Sequence, residues 1–180
     1  MSEFFLELFS EEIPTNLQKS SRIVLLDNFQ KLFKEKQINF KKSSVYSTPN
    51  RLIILFEGLS KGIIQKAVEI KGPNVNAPEK ALDGFLRSHN INKEDLFKKV
   101  IEKSEFYFFK KSTKKIKTIE LLQEQTPLIL DKMHWKKSMK WGDFSLNWAR
   151  PLKSILAVFD GKTLNFKFHH LTCSNTTFID

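Results

Sequence analysis

The residue pattern predicts an α+β fold: a mixed or antiparallel sheet with packed helices, arranged as one domain or two small subdomains. Three observations lead there. Short β-rich runs and helical runs follow one another irregularly, without the regular strand–helix alternation of a doubly wound parallel sheet. Ile155–Phe159 and Thr163–Phe168 flank Asp160-Gly161, and Asp-Gly between apolar runs is a strong hairpin signal. The chain has 180 residues, 41% of them hydrophobic and 17 of them Phe, so it can close a packed core.

Taken in order, Phe4-Phe-Leu-Glu-Leu-Phe9 reads as a strand interrupted by Glu7. Ser10-Glu-Glu-Ile-Pro14 breaks it, and Pro14 suits the first turn of a helix, where a missing N–H costs nothing. From Thr15 to about Glu35, Leu17, Leu25, Phe29, Leu32 and Phe33 recur at helical spacing, predicting an amphipathic helix. Two strands, 42–47 and 51–57, flank the turn Thr48-Pro49-Asn50. Another strand, 68–71, ends at Gly72-Pro73, and a weak internal boundary is expected near 71–78. Residues 78–88 read as a short helix, 93–97 as a second, 105–110 as a strand, and 118–130 as a helix disturbed at Thr126-Pro127.

Net charge is +10 and it is concentrated. Residues 98–117 carry eight Lys against Glu102 and Glu105; residues 132–153 carry five Lys and Arg150 against Asp143. These two segments hold all the excess, and such a field attracts polyanions, nucleic acid first among them. The same lysines also read as solvated faces, and Lys exceeds Arg by 26 to 4, as an AT-biased genome would give. No run approaches the ~20 apolar residues that span a bilayer. The acidic opening Met1-Ser-Glu3 argues against a signal peptide, and a lone Cys173 suits a reducing compartment, so a cytoplasmic location is expected.

Catalytic patterns are missing. The six Gly form neither GxGxxG nor GxxxxGK[ST]. Lys136-Lys-Ser-Met-Lys140 permutes, without matching, the lysine signature of class I aminoacyl-tRNA synthetases, and the arginine motifs of class II cores are absent. His169-His170 with Cys173 falls short of four metal ligands at paired spacing. The expectation is no catalytic, cofactor-binding or metal-binding residue on this chain. Glu7, Glu11 and Glu12 form an acidic cluster suited to helix capping or to an interface. All three Trp lie in residues 133–151, interleaved with Lys136, Lys137, Lys140 and Arg150. Aromatics among cations can stack on unpaired bases while the cations neutralise phosphates. Tryptophans buried beneath outward lysines are the competing reading, and the favoured one for any single Trp.

An ordered set of short pieces resembles one family. Leu6-Glu-Leu-Phe-Ser-Glu-Glu-Ile-Pro14 is similar to the acidic opening of bacterial glycyl-tRNA synthetase β chains, and Thr48-Pro-Asn-Arg-Leu52 to their Thr-Pro-x-Arg-Leu turn. Lys71-Gly-Pro73, Ala77–Ala81 and Gly84-Phe-Leu-Arg-Ser88 follow in the family's order. So do Lys137-Ser-Met-Lys-Trp-Gly142, Trp148-Ala-Arg-Pro-Leu152, Phe159-Asp-Gly161 and Ser174-Asn-Thr-Thr177. The resemblance implies the amino-terminal portion of a β subunit, the family's carboxyl-terminal domains being absent. It implies an α2β2 tetramer that joins glycine to tRNA-Gly, with ATP and Mg used by the α subunit. Arg51, Arg87, Lys136, Lys137, Lys140, Trp141 and Arg150 become candidate contacts to tRNA or partner, and Glu7, Glu11 and Glu12 candidate interface acids. Two departures stand out: Asn50 occupies a place where arginine is common, and Asn-Thr-Thr runs into Phe178-Ile-Asp180 instead of the family's Arg, Gly and His residues. A free-standing RNA-binding module and a non-functional truncated remnant are the alternatives.

Overall fold

The computed structural model describes residues 2–65, 68–101, 104–111 and 114–178. In chain order the first elements are β1 (Glu3–Ser10), α1 (Thr15–Glu35), β2 (Lys42–Thr48), β3 (Arg51–Glu57), β4 (Gly62–Gln65) and β5 (Val68–Asn74). Then come α2 (Glu79–His89), β6 (Leu96–Ile101), β7 (Ser104–Lys111), β8 (Lys114–Lys117) and α3 (Thr118–Asp131). Four strands close the chain: β9 (Leu152–Phe159), β10 (Lys162–Thr163), β11 (Lys167–Phe168) and β12 (Leu171–Thr172). The fold is α+β, as predicted, and its named strand pairs are antiparallel. No helix among the described residues is long and apolar enough to cross a membrane.

The chain forms two compact units, Met1–Ile63 with Ile116–Asp180, and Ile64–Lys115. The division therefore falls at 63/64 and 115/116, away from 71–78. There β5 continues through Gly72-Pro73 and is paired with β7 on both sides of them, Lys71 opposite Phe108 and Asn74 opposite Phe106. A register shift between Lys71 and Asn74 accommodates the proline, which cannot donate to the ladder.

In the first unit a five-stranded sheet has the order β10-β9-β1-β3-β2. Period-two alternation puts every second residue of its three central strands on one face. Phe4 lies opposite Phe56 and Phe159, Leu6 opposite Ile54 and Ala157, and Leu8 opposite Leu52 and Ile155. All nine side chains are buried. The five residues that predicted α1 are also buried, and its Phe29 and Phe33 meet Phe4 and Phe56. The Asp160-Gly161 turn has positive φ at both positions (51° and 74°), which a two-residue hairpin matching the strand twist requires. Glycine adopts that conformation freely and Asp tolerates it.

Two further expected elements differ, and the helix expected over 118–130 forms straight through its proline. Residues 163–168 are not one strand: β10 stops at Thr163, and the chain turns inward to bury Leu164 and Phe166. Leu164 N–H still donates to Ala157 C=O of β9 (2.9 Å), but Phe166 C=O accepts from Cys173 N–H (3.0 Å), outside that ladder. Residues 93–97 are not a helix of any length. A single 3-10 turn, Lys93–Asp95, is closed by a reciprocal Asn92–Asp95 capping box, and β6 begins at Leu96. Pro127 lies inside α3 without ending it, because Leu121, Leu122, Ile129 and Leu130 on both sides of it are buried.

The second unit is a three-stranded sheet, β5-β7-β6, with α2 packed on one face through Phe85 and His89 against Phe109. Gly72 permits that approach: a Cβ there would lie 2.9 Å from the Phe85 ring. Glu102 and Lys103 of the first basic segment lie outside the described residues.

Candidate nucleic-acid interface

The tryptophan-rich segment is anchored from below. Trp135 and Trp148 are buried, their rings 4.9 Å apart, and Trp148 also meets Phe168. Met139 and Trp148 exchange two backbone hydrogen bonds, 2.8 and 3.2 Å, closing residues 139–148 into a loop. No acceptor among the described residues meets either buried indole N–H, so ring packing holds them in place. With the rings turned in, Lys136, Lys137 and Lys140 are left exposed. The inward-tryptophan reading thus holds for two of the three. Trp141 is only half-buried, its ring edge-on to His170 at 6.0 Å.

A groove of about 510 Å³ opens beside this segment. One wall is the start of α1 (Pro14, Asn16, Leu17); the other is Lys136–Met139 with Ala149 and Arg150. Arg150 is held there by donating from Nε to the Glu12 carbonyl at 3.2 Å. The first turn of α1 has no acidic residue and no side-chain cap. Its dipole therefore adds positive potential to that of three cations, a combination suited to phosphate. Salt would weaken binding at so open a site.

The structure brings together Lys136, Lys137 and Arg150 of the expected contact residues. Lys140 and Trp141 belong to the same segment but do not line the groove. Arg87 is exposed on α2, in the other unit. Arg51 sits on the sheet face opposite α1 with its donors engaged: Nε is 3.5 Å from Glu7, a terminal nitrogen donates to Phe178 C=O at 2.5 Å, and the guanidinium lies over Phe9 at 4.6 Å. The three acids separate. Glu7 is buried, accepting from Thr177 and facing Arg51; Glu11 pairs with Lys153 at 2.7 Å; Glu12 offers its carbonyl to Arg150. None of them caps α1, whose boundary is Pro14. The sequence reading missed the wall supplied by Pro14 and Asn16; the uncapped, acid-free helix start was its only signal.

His169 and His170 occupy the β11–β12 turn and diverge. His170 stacks on Phe144 at 3.7 Å. His169 joins Ser145 Oγ (3.2 Å, at Nδ1) and Asp131 (3.1 Å, at Nε2). Serine hydrolases use the ring in the other sense, serine at Nε2 and carboxylate at Nδ1. Asp131 is also largely exposed, so the three residues tie the end of α3 to this turn.

Cys173 is turned inward toward the Ala157 carbonyl, and burial raises its thiol to about 11. The folded chain keeps this proton between pH 9, where the unfolded thiol ionises, and about 11. The thiol therefore contributes a loss of stability as pH rises through that window and no slope below it. An aromatic disulfide reagent at pH 8 is expected to react with Cys173 only after denaturation; rapid labelling of the native chain would contradict this.

Comparison with known proteins decides the family. The sequence pattern of the family described as glycyl-tRNA synthetase beta subunit matches residues 4–180. The chain belongs to that family. Glycyl-tRNA synthetase beta-subunit relatives include the glycine–tRNA ligase beta subunits of Rickettsia felis (42% identical), Rickettsia canadensis (43%) and Rickettsia typhi (44%). Each alignment covers 99% of this chain but only 26–27% of the relative. The chain thus spans about a quarter of the length of the glycyl-tRNA synthetase beta subunits it matches.

Proposed function

We propose that the chain is the non-catalytic amino-terminal part of a glycine–tRNA ligase beta subunit, acting in the cytoplasm. It supports glycyl-tRNA formation by assembling with the α subunit in an α2β2 tetramer and by contacting the backbone of tRNA-Gly. Bond-making, with ATP and Mg, belongs to the α subunit. The observation that carries the tRNA contact is the groove where Lys136, Lys137 and Arg150 meet the acid-free start of α1. Its cations match phosphates.

The test is Lys136→Glu/Lys137→Glu/Arg150→Glu in the full-length β chain, assembled with its α partner. KM for tRNA is expected to rise at least tenfold with kcat nearly unchanged. If each cation meets one phosphate, the slope of log affinity against log salt falls by about 2–3. Sedimentation of the variant with α shows whether assembly is intact. Unchanged KM and salt slope in an intact assembly would remove the groove from the function.

A further inference from the structure

The second unit carries a surface that the groove does not explain. In β7 the residues alternate, so Phe109 turns toward α2 while Phe106 and Phe108 turn to the opposite face of the sheet. On that face Phe97 of β6 lies directly across from Phe108, the rings stacked at 6.0 Å and 29°. Phe106 is opposite Lys99, and Phe108 opposite Lys71. The Lys71 ammonium sits 3.7 Å from the centre of the Phe106 ring. Lys99 passes 5.9 Å from the Phe108 ring to reach Glu69 at 3.0 Å, so this ion pair screens the middle ring. Phe97 remains 37% exposed. Lys71, Lys99 and Lys110 are exposed, and Glu69 is the only acid among the paired residues of this face; Glu105 is on the other face with Lys98.

We propose that this sheet face, on which Phe97 and Phe106 flank the buried ring of Phe108 and Lys71, Lys99 and Lys110 border them, stacks unpaired nucleotides of an RNA strand on Phe97 and Phe106. The chemistry is complementary on two counts. Every base presents a flat π face that an aromatic ring accepts whatever the sequence, and the bordering ammonium groups are placed for the phosphates between stacked bases. The cations now over the rings occupy the faces a base would take, and they are displaced at little cost because the Lys99–Glu69 pair is solvent-exposed. A protein partner would have to desolvate three lysines against a single carboxylate, which the charge balance disfavours. The inference deepens the reading above that the chain meets tRNA, adding base stacking to backbone contact.

The experiment uses the full-length β chain assembled with α. Its probes are a labelled single-stranded RNA of roughly ten nucleotides, within the usual span of one stacking module, and the corresponding blunt duplex. Phe97→Ala/Phe106→Ala is expected to weaken single-strand binding about tenfold or more while leaving duplex binding and the salt slope unchanged, since no cation is lost. Phe97→Tyr/Phe106→Tyr, which keeps the rings, should bind like the parent. Phe108 is left in place because it is buried. Equal losses on single strand and duplex, or in the alanine and tyrosine variants alike, would overturn the proposal. So would unchanged single-strand binding by the alanine variant, or loss of α association with RNA binding intact, which would assign the face to a protein. The groove variant reports independently through KM and salt slope, so either site can fail alone.

Discussion

Replacing Phe56 by alanine is expected to destabilise the chain by about 3–5 kcal/mol, the range for removing a buried aromatic ring. Phe56 is fully buried on β3, and its ring meets four others: Phe33 at 4.8 Å and Phe40 at 5.0 Å, both edge-on, with Phe4 and Phe29 at 6.4 Å. These rings come from two strands, α1 and the segment after it, so the cavity would open where helix and sheet join. Collapse is limited because Phe4 and Phe33 are themselves fully buried and held by other neighbours. Phe56→Leu, which keeps most of the volume, should cost much less, about 1–1.5 kcal/mol. Urea unfolding of the three proteins measures both. A midpoint for Phe56→Ala close to that of the parent, at equal slope, would show that this aromatic cluster is not the centre of the core.

Arg51→Ala is expected to cost nearly as much by a different route. Glu7 is buried in the central strand, facing Arg51 on the sheet side away from α1. Truncating the arginine leaves a buried carboxylate with the Thr177 hydroxyl but without its cation, a loss of about 3–5 kcal/mol in comparable buried pairs. The link to the Phe178 carbonyl and the stacking on Phe9 go with it. Removing both charges, in Arg51→Met/Glu7→Leu, should recover most of the loss, because no charge is then stranded in the sheet. A double-mutant cycle by denaturant unfolding gives the coupling directly. If Arg51→Ala unfolds like the parent, the pair contributes nothing to stability and the argument from a stranded carboxylate fails.

The two variants also show how far residue order alone reaches. The apolar run Phe4–Phe9, the β-rich run Arg51–Glu57, the helical spacing from Leu17 to Phe33, and Asp160-Gly161 are local patterns, and each became the element it predicted. Glu7 broke the first pattern, and only the neighbouring strand explains it: Arg51 is 44 positions away in sequence but one strand away in the sheet. Residues 93–97 misled because Lys-Glu-Asp favours a helical turn, while the pairing of Leu96–Ile101 with β7 takes the following residues into a strand. Residues 163–168 misled because Leu164 and Phe166 are two apart, as in a strand, yet β10 ends at Thr163 and both are buried beyond it.

By itself, the sequence determined the elements whose signal lies within a turn or two of chain, the core-facing residues of α1, the density of positive charge and, through ordered short motifs, the family. Tertiary structure alone decided which charges share a surface. It set Lys136, Lys137 and Arg150 beside the start of α1, committed Arg51 to Glu7, and turned Phe97, Phe106 and Phe108 onto one sheet face. The reason is range: propensity and periodicity act between residues a few positions apart, whereas a binding surface is set by strand register and by which face a neighbouring element covers.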